Sequence, residues 1–207
     1  MFGGTQNKYQ DEKTPFNPQS PYAVAKVYAH NITKIYRDAY DLFACNGILF
    51  NHESPLRGET FVTKKIVKAL VNIKQKKQKT LYLGNLYSKR DWGHAKDYVR
   101  AMWMILSQKT PDDYVIATNK QYTVKEFVNL VGKKLDLKIK WRGKNLNERG
   151  FVGKRAIIQI KKRYFRPLEV KNLKGNYSKA KSKLRWKPEI GIDELIEEMI
   201  NYELINV

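Results

Sequence analysis

Ser20-Pro21-Tyr22-Ala23-Val24-Ala25-Lys26 begins a helix, and Phe43-Ala44-Cys45-Asn46-Gly47-Ile48-Leu49-Phe50 reads as the strand into which that helix leads. Ser20 is a good N-cap and Pro21 suits the first helical position, where its missing N–H costs nothing. The helix is predicted to run from near Ser20 to about Asp41. Residues 43–50 are apolar without alternation, the pattern of a strand covered on both faces. Upstream, residues 1–19 are polar, carry Pro15 and Pro18, and read as a loop. Downstream, Asn51-His52-Glu53-Ser54-Pro55-Leu56-Arg57-Gly58 is turn-rich. Phe61 to Lys74 then has Val62, Ile66, Leu70 and Ile73 close to helical period, and Thr80 to Leu83 reads as a strand.

The alternation continues. After Arg90-Asp91-Trp92-Gly93 comes a helix whose Val99, Met102, Trp103 and Leu106 fall at i, i+3, i+4 and i+7, the spacing of a packing face. Tyr114 to Thr118 is a second buried strand, and Thr123 with Glu126 forms a capping box for a helix to about Leu135. Residues 142–163 are irregular and basic, with a candidate strand at Ala156 to Ile160. A final helix carries Ile192, Leu195, Ile196, Met199 and Ile200 on one face. Strands alternating with helices indicate an α/β fold with a mostly parallel sheet. A dinucleotide-binding sheet would open with a strand, a glycine-rich turn and a helix. Gly3-Gly4 follows only two residues, so that signal is missing.

Composition narrows the function classes. With 207 residues and 42% hydrophobic side chains, the chain can bury a core as one globular unit or two small ones. The formal net charge of +20 suits an anionic partner such as a phosphorylated small molecule or nucleic acid, or else a lysine-biased composition. The basic residues are spread along the whole length; the densest group, Lys74 to Lys79, reads as the solvated end of a helix. No single-face basic stripe interleaved with aromatics is present, which argues against a nucleic-acid module. Cys45 is the sole cysteine, so no internal disulfide can form and a reducing, cytoplasmic setting is expected. His30, His52 and His94 lack metal-ligand spacing, and no metal is expected. No membrane span or signal peptide is expected either.

Tyr22 and Lys26 lie one helical turn apart on one face, in the first turns of their helix. A phenol ordinarily keeps its proton to about pH 10, and a neighbouring cation favours the phenolate. Such a pair could accept the proton of an alcohol during its oxidation. The same Y-x-x-x-K spacing recurs at Tyr9/Lys13 and Tyr177/Lys181, where it reads as a solvated face; only the copy at Tyr22 has the Ser-Pro start and the small neighbours Ala23 and Ala25.

Longer runs carry a resemblance. SPYAVAK at 20–26, NGILFNHESPLRG at 46–58, FVTKKI at 61–66, LGNLYSKRDWGHAKDYV at 83–99, YVIAT at 114–118, YFRPLEV at 164–170 and SKAKSKLRWKP at 178–188 resemble the C-terminal portion of the GDP-mannose 4,6-dehydratases, extended short-chain dehydrogenase/reductases. The resemblance covers essentially the whole chain. It implies a partial NAD(P)-binding Rossmann-like parallel sheet, formed by residues 1–50 and about 96–120, plus a smaller α/β nucleotide-sugar domain, formed by about 51–95 and 121–207. It implies NADP as cofactor and GDP-mannose as substrate, with Tyr22 as catalytic base and Lys26 holding the nicotinamide ribose. His52 and Arg57 would contact NADP, while Asn51, Val62, Lys65, Arg90, Arg166 and Glu169 would line the sugar-nucleotide site.

The chemistry so implied is an internal redox cycle. The substrate is oxidised at C4 with Tyr22 taking the hydroxyl proton, water is lost across C5 and C6, and hydride returns to C6. Aligned on Tyr22, the family's T/S-S-E motif ends just before Met1. The resemblance therefore implies that Met1 is internal to a longer protein, whose N-terminal half is missing here or separately encoded, that the intact family forms homo-oligomers, and that this chain alone is inactive. Structural readings stand beside these roles: Arg90 could pair with Asp91, Glu169 with Lys171, and His52 could close the loop after its strand. Another GDP-sugar reductase or epimerase, a basic nucleic-acid-binding module and a non-catalytic interaction subunit are the alternatives.

Overall fold

The computed structural model describes residues 1–3, 9–165, 168 and 170–206. In chain order its main elements are α1 (Pro21–Tyr40), β1 (Gly47–Leu49), β2 (Asn51–Glu53), α2 (Val62–Lys74), β3 (Leu81–Leu83), β4 (Lys89–Arg90), β5 (Trp92–His94), α3 (Ala95–Leu106), β6 (Tyr114–Ile116), β7 (Tyr122–Thr123), α4 (Val124–Lys134), β8 (Lys140–Arg142), β9 (Arg149–Val152), β10 (Arg155–Ile160), α5 (Ser178–Leu184) and α6 (Ile192–Ile205). They group into two units. One comprises Met1–His52, Lys89–Gln121 and Leu168–Gly191; the other comprises Glu53–Ser88, Tyr122–Pro167 and Ile192–Val207. Residues 89–95 and 168–191, expected in the second unit, thus belong to the first. Their backbone explains why: Gly175 N–H donates to Asp91 at 3.2 Å, and Gly175 bridges Gln10 in parallel.

In the first unit, β1 pairs in parallel with β6, aligning Gly47 with Tyr114, Ile48 with Val115 and Leu49 with Ile116. Side chains alternate across a strand, so two cores form. Ile48 and Val115 join Phe2, Phe50 and Ala117 on one face. On the other, Tyr114 and Ile116 pack with Tyr98, Ala101 and Ile105 of α3 and with Ala180, Leu184 and Trp186. Gly175 approaches so closely that a Cβ there would meet the Ala117 Cβ at 2.2 Å.

Helix α1 starts as its residues dictate: the Ser20 hydroxyl accepts from Ala23 N–H at 3.1 Å, Pro21 follows, and Asp41 ends the helix in the left-handed region at φ 52°. His30 is its buried residue. Its last turn is tied down by Arg37, which donates to Asp113 Oδ1 at 3.0 Å, while the same oxygen accepts from the backbone and side-chain nitrogens of Asn46.

Two expectations are corrected here. The stripe Val99, Met102, Trp103 and Leu106 on α3 is exposed, Trp103 at 75%, whereas Tyr98, Ala101 and Ile105 face the sheet. The helix is apolar on two faces, and spacing alone does not say which of them meets the core. Asn51–Glu53, read as loop, forms the short strand β2, which pairs with β5.

The second unit holds a four-stranded sheet in the order β3-β10-β9-β8. β3 and β10 are parallel, with Ile158 opposite Leu81, and the β8-β9-β10 meander is antiparallel. The region expected to be irregular thus holds two more strand segments, Arg142 at the end of β8 and all of β9, while the candidate strand at Ala156 to Ile160 falls within β10. Its polar, lysine-rich outward positions mask the period-2 signal, and Gly153 at φ 59° makes the turn between β9 and β10. Helix α4 has the predicted box: Thr123 Oγ1 accepts from Glu126 N–H at 3.0 Å, and the Glu126 carboxylate accepts from Thr123 N–H at 2.6 Å. Ile66, Val67, Leu70 and Val71 of α2, Phe127, Val128 and Val131 of α4, and Leu195, Ile196 and Met199 of α6 are fully buried. Into this apolar layer the protein places an ion pair, Lys64 with Glu203.

Candidate active site

Within the first unit, Tyr22 lies in the first turn of α1 and is 73% exposed. The Lys26 ammonium sits 5.6 Å from the centroid of the Tyr22 ring. The pair shares a helical face, and the small Ala23 and Ala25 keep its surroundings open. The other two Y-x-x-x-K copies differ. Tyr9 lies outside any helix with the Lys174 ammonium 4.5 Å from its ring centroid, and Tyr177 packs edge-on against the buried Trp186 at 5.5 Å.

β2 carries Asn51 and His52. The His52 Nδ1–H donates to Phe50 O at 3.0 Å, which leaves Nε2 as the ring's other nitrogen, and the ring lies 5.1 Å from that of Tyr98. Arg90, at the end of β4, is anchored through Nη1 to two carbonyls, Lys89 O at 2.8 Å and Val170 O at 2.7 Å. Arg90 thus holds the 170 segment to its own strand. Arg166 and Glu169 lie outside the described residues.

Asp91, beside Arg90, went unassigned from sequence. It is 1% exposed and accepts from Thr118 N–H at 2.9 Å, Thr118 Oγ1 at 2.6 Å and Gly175 N–H at 3.2 Å. Burial raises its pKa to about 6, and these hydrogen bonds only partly oppose that rise. The folded unit therefore takes up this proton at a higher pH than the unfolded chain does. Asp91's stabilising contribution is complete below its ordinary value of 3.8 and is lost as pH rises through about 6. Between pH 4 and pH 7 the unfolding free energy of the wild type is expected to fall by roughly 2–3 kcal/mol relative to Asp91→Asn. Urea unfolding of both proteins across that range checks this, and parallel pH curves would contradict it.

In the second unit, Val62 and Lys65 occupy the first turn of α2, three residues apart. The Lys65 ammonium lies 3.7 Å from the Tyr164 ring centroid; partial burial lowers its pKa, Tyr164 opposes the shift and Arg163 adds to it. Arg57 closes a turn in which its N–H donates to Ser54 O at 3.0 Å. Its Nε stands 3.1 Å from Glu53 Oε2, and its guanidinium lies 3.5 Å from the Phe61 ring centroid. Two groups in this loop escaped the sequence reading: Glu53, and Lys64, whose Nζ donates to Pro55 O at 2.7 Å. The i, i+4 spacing of Glu53 and Arg57 was the available signal.

No helix among the described residues is long and apolar enough to cross a membrane, and no group of three His, Cys, Asp or Glu there could hold a metal ion. A two-stranded parallel sheet with helices packed on it, and a smaller α/β unit, define a Rossmann-like α/β fold. Two solved structures share it: RMD from Pseudomonas aeruginosa complexed with NADPH, at TM-score 0.81 and 18% identity over 98% of this chain and 63% of that one, and dTDP-glucose 4,6-dehydratase from Bacillus anthracis in complex with NAD, at 0.79 and 22% over 99% and 59%.

At these identities the likeness concerns fold alone. The GDP-mannose 4,6 dehydratase family model matches residues 1–199, and the chain belongs to that family. It is 50% identical to the GDP-mannose 4,6-dehydratase of Vibrio cholerae over 99% of its own length. It is 52% identical to GDP-mannose 4,6 dehydratase 1 of Arabidopsis thaliana, also over 99%. The chain spans little more than half of each of these relatives, 58% and 52%.

Proposed function

We propose that this chain carries the proton-accepting and nucleotide-sugar-binding residues of a GDP-mannose 4,6-dehydratase, acting with a partner segment equivalent to the remainder of its relatives and forming GDP-4-keto-6-deoxymannose. The observation that carries this reading is the exposed Tyr22 hydroxyl on a Ser20-capped helix start, with the Lys26 ammonium one turn away, in a chain about 50% identical to such dehydratases. Tyr22 accepts the proton of the sugar C4 hydroxyl, and the Lys26 cation favours the resulting phenolate. His52, whose Nδ1–H donates to Phe50 O, keeps Nε2 for a ligand.

The cofactor in this reading is a nicotinamide dinucleotide, NADP, which when bound accepts a hydride from the sugar and returns it. The residues present fit part of that group. Tyr22 and Lys26 suit its ribose, and Arg57 suits its phosphates because no described residue accepts from its Nη atoms. No G-x-G-x-x-G turn occurs in the sequence, so the diphosphate cradle is assigned to the partner segment. Asn51, Val62, Lys65, Arg90, Arg166 and Glu169 are the residues assigned in this reading to contact GDP-mannose. In this reading the assembled protein is a homo-oligomer.

The test is isothermal titration of the chain assembled with the N-terminal portion of a relative. GDP-mannose is expected to bind at least tenfold more tightly than dTDP-glucose or UDP-glucose; equal affinities would overturn the substrate assignment.

A further inference from the structure

The loop from Glu53 to Phe61 in the second unit is more tightly built than a surface turn requires. Glu53 ends β2 with its side chain 3% exposed, and Oε2 accepts from Thr63 Oγ1 at 2.6 Å while Arg57 Nε approaches the same oxygen at 3.1 Å. The turn between them is fixed by Arg57 N–H to Ser54 O at 3.0 Å and by Leu56 N–H to Ser54 Oγ at 3.1 Å. From below, the buried Lys64 donates to Pro55 O at 2.7 Å. The flat face of the guanidinium rests on Phe61, whose ring centroid is 3.5 Å away.

These contacts hold Arg57 at Nε and over one face of its guanidinium. Its Nε lies 3.1 Å from Glu53 Oε2 as an ion pair without an aligned hydrogen bond, one face is covered by Phe61, and no described residue accepts from Nη1 or Nη2. The two Nη groups form the edge that grips phosphate oxygens in two-pronged fashion. A buried carboxylate is costly, and a packed apolar side chain at position 53 would serve the fold as well. What an apolar residue cannot do is orient a guanidinium.

We propose that Glu53 is a positioning residue that locks Arg57, through Nε, into a preorganised phosphate fork, with Thr63 holding the carboxylate in register. This rests on the reading in which Arg57 contacts the cofactor's phosphates. Fixing the guanidinium before the ligand arrives removes the entropy cost that a free arginine would incur on binding.

The test uses the 207-residue chain with ¹⁵N-labelled arginine. The Arg57 Nε–H resonance is assigned by its loss in Arg57→Lys, and inorganic pyrophosphate is the probe. In the wild type, Arg57 Nε–H is expected to exchange with water at least tenfold more slowly than that of the exposed Arg185, and to shift on pyrophosphate addition. Glu53→Gln is expected to bring the exchange up to that of Arg185 and to weaken pyrophosphate binding about tenfold, because the buried ion pair that orients the guanidinium is lost. Thr63→Val is expected to do the same about threefold, because Glu53 keeps its charge but loses its anchor. A merely structural Glu53 would lower the melting temperature without altering Arg57's exchange or pyrophosphate affinity, and that result in Glu53→Gln would overturn the proposal. Should Glu53→Gln not fold, unchanged Arg57 behaviour in Thr63→Val overturns it instead. Competition by NADP separates this from the reading beneath it. Glu53-dependent pyrophosphate binding that NADP does not displace upholds the positioning role and removes Arg57 from the cofactor site.

Discussion

Replacing Tyr22 by Phe is expected to reduce turnover of GDP-mannose by roughly 10²–10⁴-fold in the protein assembled from this chain and the N-terminal portion of a relative. The substitution keeps the ring and its place in the first turn of α1, and removes only the atom that accepts the proton. GDP-mannose affinity is expected to stay within about twofold, because the sugar-nucleotide residues lie on other elements. Lys26→Met is expected to cost less than Tyr22→Phe, since the proton acceptor itself is kept. Steady-state kinetics across pH 6 to 10 check both effects. Undiminished turnover in Tyr22→Phe would remove Tyr22 from the mechanism.

The second large effect concerns stability. Lys64 and Glu203 are 5% and 4% exposed and form an ion pair within the α2–α6 packing of the second unit. Lys64 also lies 4.5 Å from the Tyr202 ring centroid and donates to Pro55 O. Taking two charges out of water is expensive, and the pair tolerates it only because each neutralises the other. Lys64→Met therefore leaves a buried, unpaired carboxylate and is expected to destabilise the unit by about 3–5 kcal/mol. Combining it with Glu203→Leu is expected to recover most of that loss, since apolar groups then replace both charges on helices whose Ile66, Leu70 and Ile200 are buried. Urea unfolding of the single and double variants measures the recovery. A single substitution costing less than about 1 kcal/mol, or a double one no better than the single, would contradict the buried-pair account.

These two effects mark what the sequence could and could not yield. The helix at Ser20 was legible because capping is local chemistry: a hydroxyl before proline at the first helical position specifies a start regardless of what packs against it. The capping box at Thr123 was legible for the same reason, and the apolar run at 114–118 did mark a buried strand, but the run at 43–50 forms strand only over 47–49 and leaves Phe43 exposed, because apolar composition does not fix where pairing begins. The Val99–Leu106 stripe misled because α3 is apolar on two faces, and only tertiary packing selects Tyr98, Ala101 and Ile105. The β8–β10 meander was obscured by basic outward positions. Of the site, Tyr22 stood out from its two imitators by its cap and small neighbours. The roles of Asn51, His52, Arg57, Val62, Lys65 and Arg90 came from resemblance and not from spacing. Asp91 and Lys64 were invisible, because a buried charge is recognised only by the partners that surround it, and Glu53 offered only its i, i+4 spacing to Arg57.

The central claim is that this chain supplies the proton acceptor for a dehydration in which the cofactor ends each turnover as it began. The most direct measurement follows product and cofactor together in the assembled protein, with GDP-mannose and a catalytic amount of NADP. The account predicts stoichiometric GDP-4-keto-6-deoxymannose with no accumulation of absorbance at 340 nm, and loss of both product and turnover in Tyr22→Phe. Reduced cofactor accumulating in step with product, or an epimerised sugar that retains its C6 hydroxyl, would contradict it.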